Sequence, residues 1–155
     1  MADTLYLKQM ECGPMRNYVY LIGDPATRQA AVVDPAWDVE RIVQTARQDG
    51  YTLTRVLITH THQDHTGGEL FGHYIPGVVE LLELVDVPVY VHKTETHILK
   101  NVPTSSKVPT ENNQVIDLGG DVQITPIAVD GREALDLIRR EKPDVIGITA
   151  TTPLV

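Results

Sequence analysis

Four side chains able to hold a cation fall within six residues: His60, His62, Asp64 and His65, in the run Thr59-His60-Thr61-His62-Gln63-Asp64-His65. Imidazole nitrogens and carboxylate oxygens are the ligands that borderline divalent ions such as Zn²⁺ take. Neither core packing nor turn chemistry asks for three of the chain's six histidines in one short stretch. The segment is therefore predicted to bind metal; the alternative is a polar surface loop rich in histidine. In an extended backbone His60 and His62 project to the same side, because side chains alternate. Asp64 and His65 are adjacent, so a turn must aim them differently, which suits a second ion beside the first.

The elements that position this run can be read from its flanks. Arg55-Val56-Leu57-Ile58-Thr59 is a short apolar, β-branched stretch and reads as a buried strand. It stops where the histidines begin, and Thr66-Gly67-Gly68 follows before the chain can turn helical. The ligands then lie in a loop at the carboxyl end of a strand, where α/β proteins place their sites. Further strands are predicted at 5–8, 18–22, 30–33, 89–91, 115–117, 122–125 and 145–149. Helices are predicted at 38–48, where Val39, Ile42, Val43 and Ala46 form a stripe, and at 77–84, 94–100 and 132–140. The turn-rich stretch Asn101 to Thr110 reads as a mobile loop. The fold class is α/β (α+β).

The motif resembles the signature of the metallo-β-lactamase superfamily, and residues 1–127 resemble the glyoxalase II-like (hydroxyacylglutathione hydrolase-like) hydrolases within it. Leu5 to Gly23 looks like that family's opening pair of strands, Ala31-Val32-Val33-Asp34-Pro35 like its first acidic motif, and Pro88 to Lys93 like the strand and helix start after the metal loop. The resemblance implies an αββα sandwich, of which this chain holds the N-terminal half. It implies that His60 and His62 serve one metal and Asp64 and His65 a second, with Asp64 also orienting a bridging hydroxide. Asp34 stands behind them, fixing a histidine tautomer or a loop; a plain strand-ending Asp-Pro turn is the other reading of it. The implied chemistry is attack of metal-bound hydroxide on a thioester or ester-like small molecule. Zn²⁺ is the expected ion, with Fe²⁺ and Mn²⁺ compatible with the same ligands.

The chain also departs from that pattern. The family requires a further histidine, a bridging aspartate and a last histidine downstream, yet no histidine follows His97. A catalytic zinc site has about three protein ligands and a structural one four, so two ligands per metal fall short. His73, His92, His97, Glu69, Asp130 and Cys12 are spare candidates; His92 and His97 fit structural roles better, and Cys12 reads as a small buried hydrophobe. The stretch from 128 to 155 is expected to be a separate helix-strand tail, resembling a fragment of a cobalamin-binding or receiver-like α/β domain but carrying the functional residue of neither. A half sandwich leaves one sheet face wet, at roughly 25 cal/mol for each Å² of apolar surface, so self-association into a homo-oligomer is expected.

Composition narrows the partners. Acidic residues outnumber basic ones 21 to 13, giving a formal charge of −8, which argues against nucleic acid or an anionic membrane and for a small-molecule substrate. No apolar run is long enough to span a bilayer, the first residues lack the pattern of a secretory signal, and a single cysteine suits a reducing compartment; a cytoplasmic location is expected. Three functions follow: a metal-dependent hydrolase, an inactive metal-binding fragment or fusion product, and an interaction module built on the tail.

Overall fold

A computed structural model describes residues 5–126 and 131–143. Its centre is a six-stranded sheet in the order β1-β2-β3-β4-β7-β8, comprising β1 (Tyr6–Cys12), β2 (Asn17–Gly23), β3 (Gln29–Val33), β4 (Thr52–Leu57), β7 (Val89–His92) and β8 (Lys107–Thr110). Strands β1, β2 and β3 are joined as antiparallel neighbours, whereas β3, β4, β7 and β8 run parallel. Parallel neighbours need crossovers. The β3–β4 crossover carries α1 (Val39–Gln48), and the β4–β7 crossover carries α2 (Gln63–Thr66), the hairpin β5 (Gly68–Leu70) and β6 (His73–Ile75), and α3 (Val78–Leu84).

Both longer crossover helices lie on one face of the sheet. In α1 the buried residues are Val39, Ile42, Val43 and Ala46, an i, i+3, i+4, i+7 stripe, with Glu40 in the first turn and Arg47 in the last to match the helix dipole. That stripe packs with Val78 and Leu81 of α3 against Val19, Leu21, Ala30, Val32, Val56 and Val89. Fully burying a side chain such as Leu21, Ile42 or Leu81 stabilises the fold by roughly 1.5–3 kcal/mol each. Strand β3 is buried on both faces: Ala31 points the other way, into a smaller cluster with Leu57, Ile116, Leu118 and Val122.

That second cluster lies beneath the hairpin of β9 (Ile116–Asp117) and β10 (Gln123–Ile124). The hairpin is tied down by Asp24, whose buried carboxylate accepts hydrogen bonds from the backbone N–H groups of Ala26, Thr27 and Asp121, each at 2.8 Å. These backbone donors, Thr27 foremost, hold the Asp24 carboxyl below its ordinary range. The face expected to lie open is therefore partly covered. Leu7 on β1 and Tyr18 on β2 stay 44% and 46% exposed.

Three local expectations need correction. The stretch predicted as a helix at 94–100 is a series of turns, with Glu95 N–H bonded to His92 C=O and Ile98 N–H to Glu95 C=O. These are three-residue spacings, which Leu99 and Val102 convert into a descent into the core rather than a helical stripe. The loop predicted at 101–110 contains a 3₁₀ turn, Thr104–Ser106, and then β8, which pairs with β7 along its whole length. Pro109 is tolerated there because β8 is an edge strand. Chain reversal at the metal loop precedes the glycines: α2 forms first, and Gly67 and Gly68, with φ of +84° and +122°, end it. Helix α4 (Gly131–Glu141) matches its prediction, with Leu135 54% exposed. The strand predicted at 145–149 lies outside the described residues.

Candidate metal centre

The topology brings three loops to one end of the sheet. Strands β3 and β4 are parallel neighbours, so Asp34 and the run from Thr59 to His65 leave the sheet side by side. Strand β2 is antiparallel to β3, so its first residue, Asn17, lies at that same end, beyond the Tyr20–Val33 pair. Trp37 follows Asp34 in the turn before α1.

At Asp34 the backbone adopts φ of +51°, a conformation Asp tolerates better than most residues, while its N–H still bonds Leu57 C=O at 3.0 Å. The buried carboxylate then meets three donors. Oδ1 accepts from Thr59 N–H at 2.8 Å. Oδ2 lies 2.5 Å from Thr59 Oγ1 and 3.1 Å from His65 Nδ1. The Asp34 carboxylate thus links Thr59 to His65. A ligand atom of Asp34, His60 and His65 can each be chosen so that all lie within 4.8 Å of one another.

The histidines converge rather than splay. The His60 ring centroid is 4.2 Å from that of His65 and 4.6 Å from that of His62, the latter edge-on at 78°. His65 gives Nδ1–H to Asp34, which leaves its Nε2 as a lone pair facing Asp64 Oδ2 at 3.4 Å. Two ligands at about 2.0–2.2 Å on a tetrahedral ion are about 3.4 Å apart, so this pair spans one edge of such a site. Burial holds the His60 imidazole below its ordinary range, helped by the proximity of His65. Burial acts the same way on His65, but the hydrogen bond and charge of Asp34, with Asp64, outweigh it and raise His65. The donor set and its spacing fit a divalent cation.

Two residues not singled out from the sequence hold the loop. Asn17 Nδ2 donates to Asp64 C=O at 3.1 Å and to Asp64 Oδ2 at 2.8 Å, and lies 3.4 Å from His65 Nε2. Trp37, the only tryptophan, donates Nε1–H to the same Asp64 carbonyl at 3.1 Å and its own N–H to Pro76 C=O at 2.8 Å. The indole lies against Gly13, where an added Cβ would come within 2.3 Å of the ring. The one available signal was that a lone Trp and an Asn flank the two strands that lead into the site. Behind the loop, Gly77 touches Thr66 and Gly67 backbone to backbone, with its N–H bonded to Glu80 Oε2 at 2.7 Å.

None of the spare candidates among the described residues joins the group of Asp34, His60 and His65. His73 is exposed on β6, opposite Leu70. His92 ends β7 with Nδ1 2.7 Å from Thr94 Oγ1, and His97 is exposed in the turns that follow. Glu69 is exposed on β5. Cys12 is buried, its Sγ 3.2 Å from Arg41 Nη2, and burial raises its thiol. Asp130 lies outside the described residues.

Comparison with known proteins agrees with this architecture. The profile of the metallo-beta-lactamase superfamily matches residues 12–154, running on through the stretch from 128 that the sequence set apart. A hydroxyacylglutathione hydrolase of Alkalilimnicola ehrlichii is 46% identical over 74 residues, covering 48% of this chain and 25% of that protein. One from Pseudomonas entomophila is 30% identical over 114 residues, covering 74% of this chain and 36% of that protein. A metallo-beta-lactamase structure from Staphylococcus aureus superposes with a TM-score of 0.63 at 23% identity, over 81% of this chain and 34% of the other. The matched region is thus about a quarter to a third of the length of these relatives. On the profile match and the shared fold, this chain belongs to the metallo-beta-lactamase superfamily, with glyoxalase II-like relatives.

Proposed function

We propose that the chain carries the metal-binding half of a metal-dependent hydrolase acting on a thioester or ester-like small molecule. The observation that carries this is the pairing of His65 Nε2 with Asp64 Oδ2 at 3.4 Å while Asp34 occupies His65 Nδ1. Asp64 and His65 would hold one cation, and His60 and His62 a second beside it. Zn²⁺ suits the nitrogen and carboxylate donors, and Fe²⁺ or Mn²⁺ would be accepted by the same set. Bound cations supply a water of lowered pKa and polarise the electrophilic carbonyl. The chain's own contribution is to exclude the wrong tautomer at His65, to hold Asp64 in place through Asn17 and Trp37, and to leave the Asp64 carboxylate able to orient a nucleophile. The thioester assignment rests on the hydroxyacylglutathione hydrolases among its relatives. A small-molecule substrate and self-association across the sheet face bearing Leu7 and Tyr18 belong to this reading.

A second reading is a cation-holding unit without turnover, favoured by the supply of only two candidate ligands per cation from His60, His62, Asp64 and His65. Metal content and thioester hydrolysis measured together separate the two. The hydrolase reading expects bound Zn²⁺ and an activity lost in both His62→Ala and Asp64→Ala. Retained metal with no hydrolysis selects the second reading. Less than about 0.2 ions per chain after loading and gentle desalting refutes both.

A further inference from the structure

We propose that Thr59 is a positioning residue that sets the tautomer of His60, passing on the orientation that Asp34 gives directly to His65. The argument is one of proton counting. Thr59 Oγ1 has a single proton and two polar neighbours, Asp34 Oδ2 at 2.5 Å and His60 Nδ1 at 3.0 Å. An ionised carboxylate only accepts. Were the hydroxyl proton turned to His60, two oxygens 2.5 Å apart would face each other with no hydrogen between them. The proton therefore lies toward Asp34, and Oγ1 must accept from His60 Nδ1–H. His60 Nε2 is left bare.

His65 reaches the same state without a relay, through Nδ1–H to the same Oδ2. One buried carboxylate thus frees two Nε2 lone pairs on neighbouring rings, one at first hand and one through a hydroxyl. The arrangement runs against chemistry in water, where a neutral imidazole on its own favours the proton on Nε2, the nitrogen that must be free here. Thr59 also gives its backbone N–H to Asp34 Oδ1 at 2.8 Å, so main chain and side chain both engage the same carboxylate. The side chain carries none of the fold's buried apolar surface and is exposed, so its hydroxyl can be removed without opening a cavity.

The inference rests on His60 being a metal ligand, but its first test does not. In metal-free, ¹⁵N-labelled protein at about pH 8, where an ordinary imidazole is neutral, two-bond ¹H–¹⁵N spectra report which ring nitrogen of His60 carries the proton. Wild type and Thr59→Ser are expected to show His60 protonated on Nδ1, and Thr59→Val to show it shifted toward Nε2–H, with His65 unchanged as an internal reference. Co²⁺ affinity by chelator competition is expected to fall about 10-fold or more in Thr59→Val and to stay near wild type in Thr59→Ser, the range for loss of a hydrogen bond behind a ligand. Wild-type His60 found as Nε2–H overturns the proposal, even if Thr59→Val fails to fold. So does measurable Co²⁺ binding of equal affinity in all three forms. A protein that binds no Co²⁺ but shows the Nδ1–H tautomer sinks the metal reading and leaves the relay standing.

Discussion

Replacing Gly77 by alanine tests whether the loop bearing Asp64 and His65 is held from behind by backbone contact. An added Cβ would lie 2.2 Å from the Thr66 carbonyl oxygen and 2.5 Å from Gly67 Cα. Both neighbours are main chain, so neither can rotate aside as a flexible side chain would. Restoring an ordinary contact requires α2 and the segment at Gly77 to separate by roughly 1 Å, and overpacking of that kind costs about 1–3 kcal/mol, occasionally more. A displacement of that size matters more for the site than for the fold, since roughly 1 Å of misplacement can cost on the order of 100-fold in a reaction rate. Gly72→Ala is the control: Gly72 has φ of +77° but nothing within 4 Å of an added Cβ, so it carries only the backbone cost of about 1 kcal/mol. Denaturant unfolding and Zn²⁺ affinity by competition should place Gly77→Ala well below Gly72→Ala in both measures. Wild-type metal affinity in a folded Gly77→Ala protein would refute the claim that this backbone contact sets the loop.

Two further outcomes are expected. Asn17→Ala removes donors to both the carbonyl and the carboxylate of Asp64; metal affinity should fall about 10- to 100-fold, and Trp37, which shares the Asp64 carbonyl, should report the loosened loop by a change in fluorescence. Unchanged affinity and emission would remove Asn17 from the site. In the metal-free protein, NMR titration should place the His60 midpoint below the ordinary 6.5 and that of His65 above it. The sign follows: His65 contributes stability that is full below pH 6.5 and is lost as pH rises through its folded midpoint, whereas His60 opposes folding as pH falls below 6.5. Asp34→Asn should bring the His65 midpoint down, and a midpoint that stays high would discount the Asp34 contact.

What the sequence made legible follows from how local each signal is. The candidate metal loop stands out because four side chains within six residues carry the whole pattern, and α1 because its apolar stripe has the helical period. Strand β8 is illegible since Lys107-Val108-Pro109-Thr110 is short, half polar and contains proline, and is specified only by pairing with β7. The β5–β6 hairpin is hidden for a similar reason: Gly-Glu-Leu and His-Tyr-Ile are too short to show alternation. Asn17 and Trp37 reach Asp64 across 47 and 27 residues, and no periodicity encodes such a contact. Asp34 lay between these cases. Its motif marked it, but its hold on Thr59 and His65 depends on how β3 and β4 align.

A parallel sheet that stops in the open exposes a row of unpaired amides, which invites another chain to add on. At β8, an edge strand among the described residues, Pro109 has no amide hydrogen to offer, and Lys107 ties its ammonium to Thr96 C=O at 3.2 Å. Any polypeptide trying to extend the sheet there would meet a missing donor. The proline that obscured this strand in the primary structure is thus a built-in guard against fibrillar growth from that side.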